Sequence, residues 1–326
     1  MRLADLTLAI GVTVVLPATS LAQDPNVALP VPQLEEILSV GDFQIVSAVT
    51  SRGLPSERTY QVTASAGNAM LQMKYAPAPE GADEFNNRPR YELAAYEIQK
   101  LFLDPEDYVV PPTVARCLPT DAVQSVMNMV PGDYKPEAER TFRDWGMTVV
   151  LLQYWLWNVE VPEKLNDDDL AKEDRYAYHL GHFNLLTYLI RHNDSNEGNF
   201  LRSVVAENPR IFSVDNGVAF SNEESDRGTY WRNIEVDRFP ARAIERLRQV
   251  TPEGLQEALG VVAQFDLRDG SFVPAEPGEN LKPGDGVRRN DTTIQLGLTD
   301  SEIRQIWRRL ERLLEWVDGG RYTVFG

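Results

Sequence analysis

The chain has 326 residues, 43% apolar and 25% charged, which are the proportions of a soluble globular protein rather than a disordered or fibrous one. Its 49 acidic and 32 basic residues give a formal net charge of −17, which argues against nucleic acid or an anionic membrane surface as partner and favours a neutral or basic one. Cys117 is the only cysteine, so no intrachain disulfide can form, and a chain this long needs none to hold a core.

The N-terminus reads as an export signal. Arg2 precedes an uncharged apolar run over residues 6–16, and Ser20-Leu21-Ala22 supplies a small-x-small cleavage pattern. Residues 1–22 are therefore expected to be a signal peptide with Gln23 as the mature start, and the protein is expected to be periplasmic or secreted. The run is too short to span a bilayer, which takes about 20 residues, and no later segment is expected to cross one. The Asp-Pro-Asn and Pro-Val-Pro that follow predict an unstructured mature start.

Residues 42–75 alternate as strands, with three predicted at 43–49, 58–64 and 69–75 and turns at Ser51-Arg52-Gly53-Leu54-Pro55 and Ala66-Gly67-Asn68. Tyr91, Ala94, Ala95, Ile98, Leu101 and Phe102 fall at helical spacing within residues 90–103. Two further strands are expected at 109–114 and 147–152. From residue 153 the pattern becomes helical: helices are predicted at 174–191, 239–250 and 251–262, the last opening Thr-Pro-Glu with Pro252 at its first position. Residues 264–297, rich in Gly, Pro and Asp, read as a long loop. Thr299-Asp300-Ser301-Glu302 is a capping box opening a helix with Ile303, Ile306, Leu310 and Leu313 on one face.

Two polar loops carry the chemistry. Residues 191–200 read Arg-His-Asn-Asp-Ser-Asn-Glu-Gly-Asn-Phe, and residues 211–220 read Ile-Phe-Ser-Val-Asp-Asn-Gly-Val-Ala-Phe. Phosphoryl transfer needs a carboxylate at the acceptor hydroxyl, and an amide and a second carboxylate on the metal that bridges the phosphates. Asp194, Asn199 and Asp215 match that order and spacing. Other chemistries find no motif: Gly-x-Ser-x-Gly, His-Glu-x-x-His and Gly-x-Gly-x-x-Gly are absent. A calcium loop starting at Asn193 fails at its twelfth position, Val204. His179 and His182 share a helix face, with no third metal ligand near in sequence.

These loops resemble the phosphatidylinositol 3-/4-kinase-like group of atypical kinases, in and near which stand type II phosphatidylinositol 4-kinases, HipA-type serine kinases and secretory-pathway kinases. The resemblance continues N-terminally: Gln72-Met73-Lys74-Tyr75-Ala76-Pro77 is similar to their lysine strand. Tyr91-Glu92-Leu93-Ala94-Ala95-Tyr96 is similar to their glutamate helix. It implies an α+β, two-lobed protein-kinase-like fold, with an N-lobe over residues 23–152 and a helical C-lobe over 153–326. It also implies ATP and Mg²⁺ or Mn²⁺ as cofactors and a hydroxyl acceptor, foremost on a protein. Lys74 would contact the nucleotide phosphates and Glu92 would pair with it. Asp194 would be the catalytic base, Asn199 and Asp215 the metal ligands, and residues 147–159 the hinge against which adenine lies. Two features depart from the family: Gly53 is the only glycine where a glycine-rich phosphate loop is usual, and Ser195 stands where a basic residue often follows the aspartate. Both keep a pseudokinase open as a second reading. A lipid kinase is a third, disfavoured by the acidic balance.

Overall fold

Antiparallel strands dominate the first half of the chain. β1 (Gln44–Thr50), β2 (Tyr60–Ala66) and β3 (Ala69–Pro77) form a meander, which β4 (Thr113–Pro119) and β5 (Met147–Tyr154) extend into a five-stranded sheet ordered β1-β2-β3-β5-β4. The computed structural model describes residues 24–51, 58–85, 87–133, 135–165 and 173–326; the expected signal peptide, Gln23 and the turn bearing Gly53 lie outside them. The described residues form a mixed α+β protein.

Strand β5 is buried along its whole length because both faces of the sheet are covered. Val150, Leu152 and Tyr154 join one core with Met73 and Tyr75, whereas Met147, Val149 and Leu151 join another on the opposite face. This is the period-two alternation of a strand sandwiched between two layers.

The first layer contains helix α1 (Val31–Ser39), whose Leu34 and Leu38 are buried, and α3 (Thr120–Met127). The segment expected to be an unstructured mature start thus carries a helix instead. Pro32 sits in the first turn of α1, where its missing N–H costs nothing, and Arg116 of β4 donates to the carbonyls of Ile37, Leu38 and Gly41 at the helix end. Asn26, fully buried, donates from Nδ2 to the carbonyls of Trp157 and Asn158 at 2.9 and 3.1 Å.

The second layer corrects the expected 264–297 loop. β10 (Ala263–Arg268), β11 (Ser271–Ala275), β12 (Val287–Arg289) and β13 (Thr293–Leu296) form a four-stranded sheet ordered β11-β10-β13-β12. Its Phe265, Phe272, Ile294 and Leu296 pack with Ala115 and Cys117 of β4. Asp269 and Gly270 both adopt positive φ between β10 and β11, the geometry a two-residue hairpin turn demands.

Helix α2 (Pro89–Gln99) is buried at every residue but Glu97. It is locked to helix α7 (Asp300–Asp318) by Glu302, which accepts from both Arg90 Nη1 (2.8 Å) and Tyr91 Oη (2.5 Å) while completing the Thr299 capping box. Residues 109–112 are not a strand. The Gln99 side chain accepts from Val109 N and Val110 N at 2.8 and 2.9 Å and donates to Val110 O, and Pro111-Pro112 has no N–H for a ladder.

The remaining helices are α4 (Asp174–Leu189), α5 (Ala241–Leu247) and α6 (Pro252–Leu259), close to the spans the sequence predicts. With α2 and α7 they share a core centred on Phe183, Leu186, Ile244 and Leu310. A three-stranded sheet of β6 (Val159–Glu160), β7 (Phe200–Ser203) and β8 (Ile211–Ser213) sits beside α4 and carries the two polar loops. No helix among the described residues is long and apolar enough to cross a membrane.

Candidate functional site

A cleft of about 910 Å³ opens between the five-stranded sheet and the β6-β7-β8 sheet, within the size range of small-molecule sites. Ala76 and Leu151 on one side and Leu201 and Val214 on the other give it apolar walls, and Trp155 and Leu156, just after β5, line it as well. Its charged lining residues are Lys74, Glu92 and Asp215, together with Arg88, Glu160 and Arg227.

Lys74, Glu92 and Asp215, distant in sequence, meet. Lys74 Nζ donates to Glu92 Oε1 at 2.9 Å and is also bonded to Asp215 Oδ1. Strand alternation turns Lys74 to the cleft, while its neighbours Met73 and Tyr75 enter the opposite core. Glu92 is held in the first turn of α2, and its Oε2 accepts from Asn216 N at 3.0 Å. Burial alone would drive the Lys74 ammonium toward neutrality, but Asp215 and Glu92 more than offset it, so its pKa rises above the ordinary lysine value. The lysine is therefore a fixed cation.

Asp215 follows β8 in the left-handed region, at φ 56° and ψ 51°, an uncommon conformation for a non-glycine residue. The next residues hold it there: Asn216 begins a 3-10 turn, and its side-chain Oδ1 accepts from Ser213 Oγ at 2.8 Å. The strand end thereby projects the carboxylate into the cleft.

The first polar loop packs beneath the second. Asn199 Nδ2 donates to the Asp194 carbonyl at 3.2 Å, and Val214 N donates to the Asn199 carbonyl at 2.8 Å, so Asn199 ties together the loops bearing both aspartates. Asp194 is 4% exposed; its Oδ1 accepts from Asn196 N, and its own N–H donates to His192 Nδ1. Burial lowers His192 to about 4 against the upward pull of Asp194 and Asp215, leaving the imidazole neutral at pH 7. Asp194 does not line the cleft, although Asn196 and Gly198 of its loop do.

Of the two expected metal ligands, Asp215 lines the cleft, whereas Asn199 is buried and does not. Asp215 offers carboxylate oxygens, and Asn199 offers an amide oxygen, its nitrogen being engaged with Asp194. Among the described residues no three His, Cys, Asp or Glu side chains gather into a metal-binding group. Carboxylate and amide oxygens of this kind are what a hard cation such as Mg²⁺ would take. His179 and His182 bear on no such site: burial lowers both to about 3, and His182 packs edge-on against Tyr178.

Among the cleft-lining residues, sequence reasoning gave no role to Arg88 or Arg227, and read Gln153 only as part of the 147–159 hinge. Gln153 faces Lys74 only through the β3–β5 register, which no local pattern reveals. Arg88 did leave a signal, a basic residue four positions before Glu92 at the entrance to the helix.

No protein-family model matches the chain, and no curated protein matches it.

Proposed function

We propose that the chain is an ATP- and metal-dependent kinase of the atypical type, with an N-lobe over residues 23–152, a C-lobe over 153–326 and the nucleotide in the cleft between them. The observation that carries the reading is Lys74 held between Glu92 and Asp215. A strand lysine is ordinarily solvated, yet this one is 11% exposed and paired with acids 18 and 141 residues away.

In this reading the apolar walls receive adenine, with residues 147–159 as the hinge. Lys74 directs its ammonium at the phosphates while Glu92 keeps it aimed. Asn199 and Asp215 would hold a Mg²⁺ or Mn²⁺ ion, which when bound neutralises charge on the transferring phosphoryl group. Asp194 accepts the proton of the acceptor hydroxyl, and the net charge of −17 favours a neutral or basic protein as acceptor.

A second reading is favoured by one observation. Asp194 is buried away from the cleft, and the segment after Asp215 runs alongside its loop: Ser195 N donates to Gly228 O, and Trp231 N donates to Ser195 Oγ. A pseudokinase that binds nucleotide without transfer would keep such an arrangement. Incubating the chain from Gln23 onward with γ-labelled ATP, Mg²⁺ or Mn²⁺ and a basic protein acceptor separates the readings. Label on the acceptor supports the kinase; metal-dependent binding without transfer supports the pseudokinase; no nucleotide binding removes both.

A further inference from the structure

Arg88 stands immediately before α2, and its side chain lines the same cleft as Lys74. It is 11% exposed. Its partners are two carboxylates from different parts of the chain: Asp83, 3.1 Å from Nε, and Glu223, on the segment after Asp215, in contact with Nη1. Both carboxylates are about half exposed. The contacts are ionic but poorly aligned, since Nε and Nη1 are buried and neither makes a well-directed hydrogen bond. The guanidinium is ion-paired through both nitrogens, yet neither pairing has the alignment of a full hydrogen bond. The ligand that would satisfy it is a planar or tetrahedral oxyanion offering two oxygens at once.

The charge balance points the same way. Lys74 is flanked by Glu92 and Asp215, so this part of the cleft carries one negative charge in excess before a polyphosphate enters. The sequence has only Gly53 where backbone amides would ordinarily cradle phosphate. Beside the metal proposed above, Arg88 is a second cation in the cleft wall positioned to meet phosphate charge.

We infer that Arg88 is a phosphate-contacting residue of the cleft, and that Glu223 competes with the phosphate for it. The inference rests on the nucleotide-binding reading above. Binding exchanges an exposed carboxylate for a phosphate and leaves the adenine contacts untouched.

Titration calorimetry of the chain from Gln23 onward, with MgATP and separately with adenosine, tests this on wild type, Arg88→Gln and Glu223→Gln. Arg88→Gln is expected to weaken MgATP roughly tenfold or more, as loss of charge-assisted bonds does, and to leave adenosine unchanged. Glu223→Gln is expected to tighten MgATP about two- to fivefold, again without effect on adenosine. If wild type binds MgATP and Glu223→Gln does not tighten it, the inference is overturned while the nucleotide reading stands. Equal weakening of MgATP and adenosine by Arg88→Gln overturns it too, since that is a distortion of α2. If Arg88→Gln fails to fold, the exposed Glu223 position decides alone. Wild type that binds neither ligand removes the inference together with the reading beneath it.

Discussion

Glu92 and Asn216 are joined by a hydrogen bond from the Asn216 backbone N–H to Glu92 Oε2 at 3.0 Å. The other oxygen of the same carboxylate holds Lys74 Nζ at 2.9 Å. One buried side chain thus fixes both the lysine strand and the loop that carries Asp215. Because Glu302 in turn anchors the N-terminal turn of α2 through Arg90 and Tyr91, this geometry is set by packing of the helix core rather than by the cleft itself.

Glu92→Ala is expected to cost about 3 kcal/mol of stability, the loss seen when one partner of a buried ion pair is removed. Glu92→Gln should cost less, since its carbonyl oxygen still accepts from Asn216. Urea unfolding of both variants provides the comparison. Equal losses would show that the bond to Asn216 contributes nothing.

All three histidines are held neutral by burial, His179 and His182 at about 3 and His192 at about 4. Below the unfolded value of about 6.5 the unfolded chain binds protons that the folded chain refuses. Their contribution to stability is therefore complete above that pH and declines as pH falls toward the folded values. His182→Asn removes one of the three groups. Between pH 7 and pH 5, wild type should lose roughly 2 kcal/mol more stability than this variant. Parallel urea curves at the two pH values would show it; identical losses would contradict the burial of His182.

Cys117 reports on the contact between the two sheets. It is 4% exposed, burial pushes its thiol up to about 12, and it packs in the core that contains Phe265 and Ile294. Native protein should resist alkylation at pH 8. Phe265→Ala should cost about 3–5 kcal/mol and accelerate labelling, because the cavity opens beside the thiol. Wild-type labelling as fast as that of urea-unfolded chain would mean that the second sheet does not cover β4.

The polar loops were legible because their chemistry is written in short stretches: Asp194 to Asn199 lies within one turn-rich segment, and Asp215 ends an apolar strand. Lys74 and Glu92 were readable as a strand lysine and a helix glutamate, but their meeting depends on a sheet register and a helix placement that no window contains. Strands β1 to β3 and helices α4 and α7 announced themselves through periodicity, and α7 through its capping box as well. The second sheet did not. Asp269-Gly270, flanked by alternating Phe265, Leu267 and Phe272, is a hairpin signal, but the surrounding prolines and glycines mask it and β12 and β13 have only three and four residues. Helix α1 was hidden by its prolines, although a proline in the first turn favours a helix as readily as it suggests disorder. Glu302 was read as a cap alone; its second task, receiving Arg90, needed the fold.

In the proposed kinase, Asp215 holds a metal on which nucleotide binding depends, while Asp194 serves the acceptor. This division of roles is tested most directly by titrating ATP, with and without Mg²⁺ or Mn²⁺, into wild type, Asp215→Asn and Asp194→Asn, with transfer rates measured alongside. Wild type should bind ATP only with metal, and Asp215→Asn should lose binding and transfer together, since it removes the charge that ligates the ion. Asp194→Asn should bind nearly as wild type and transfer about 100- to 10,000-fold more slowly, the usual worth of a positioned base. Loss of binding in Asp194→Asn as severe as in Asp215→Asn would make Asp194 another ligand rather than the base. Metal-independent binding, or binding that neither substitution affects, would contradict the account.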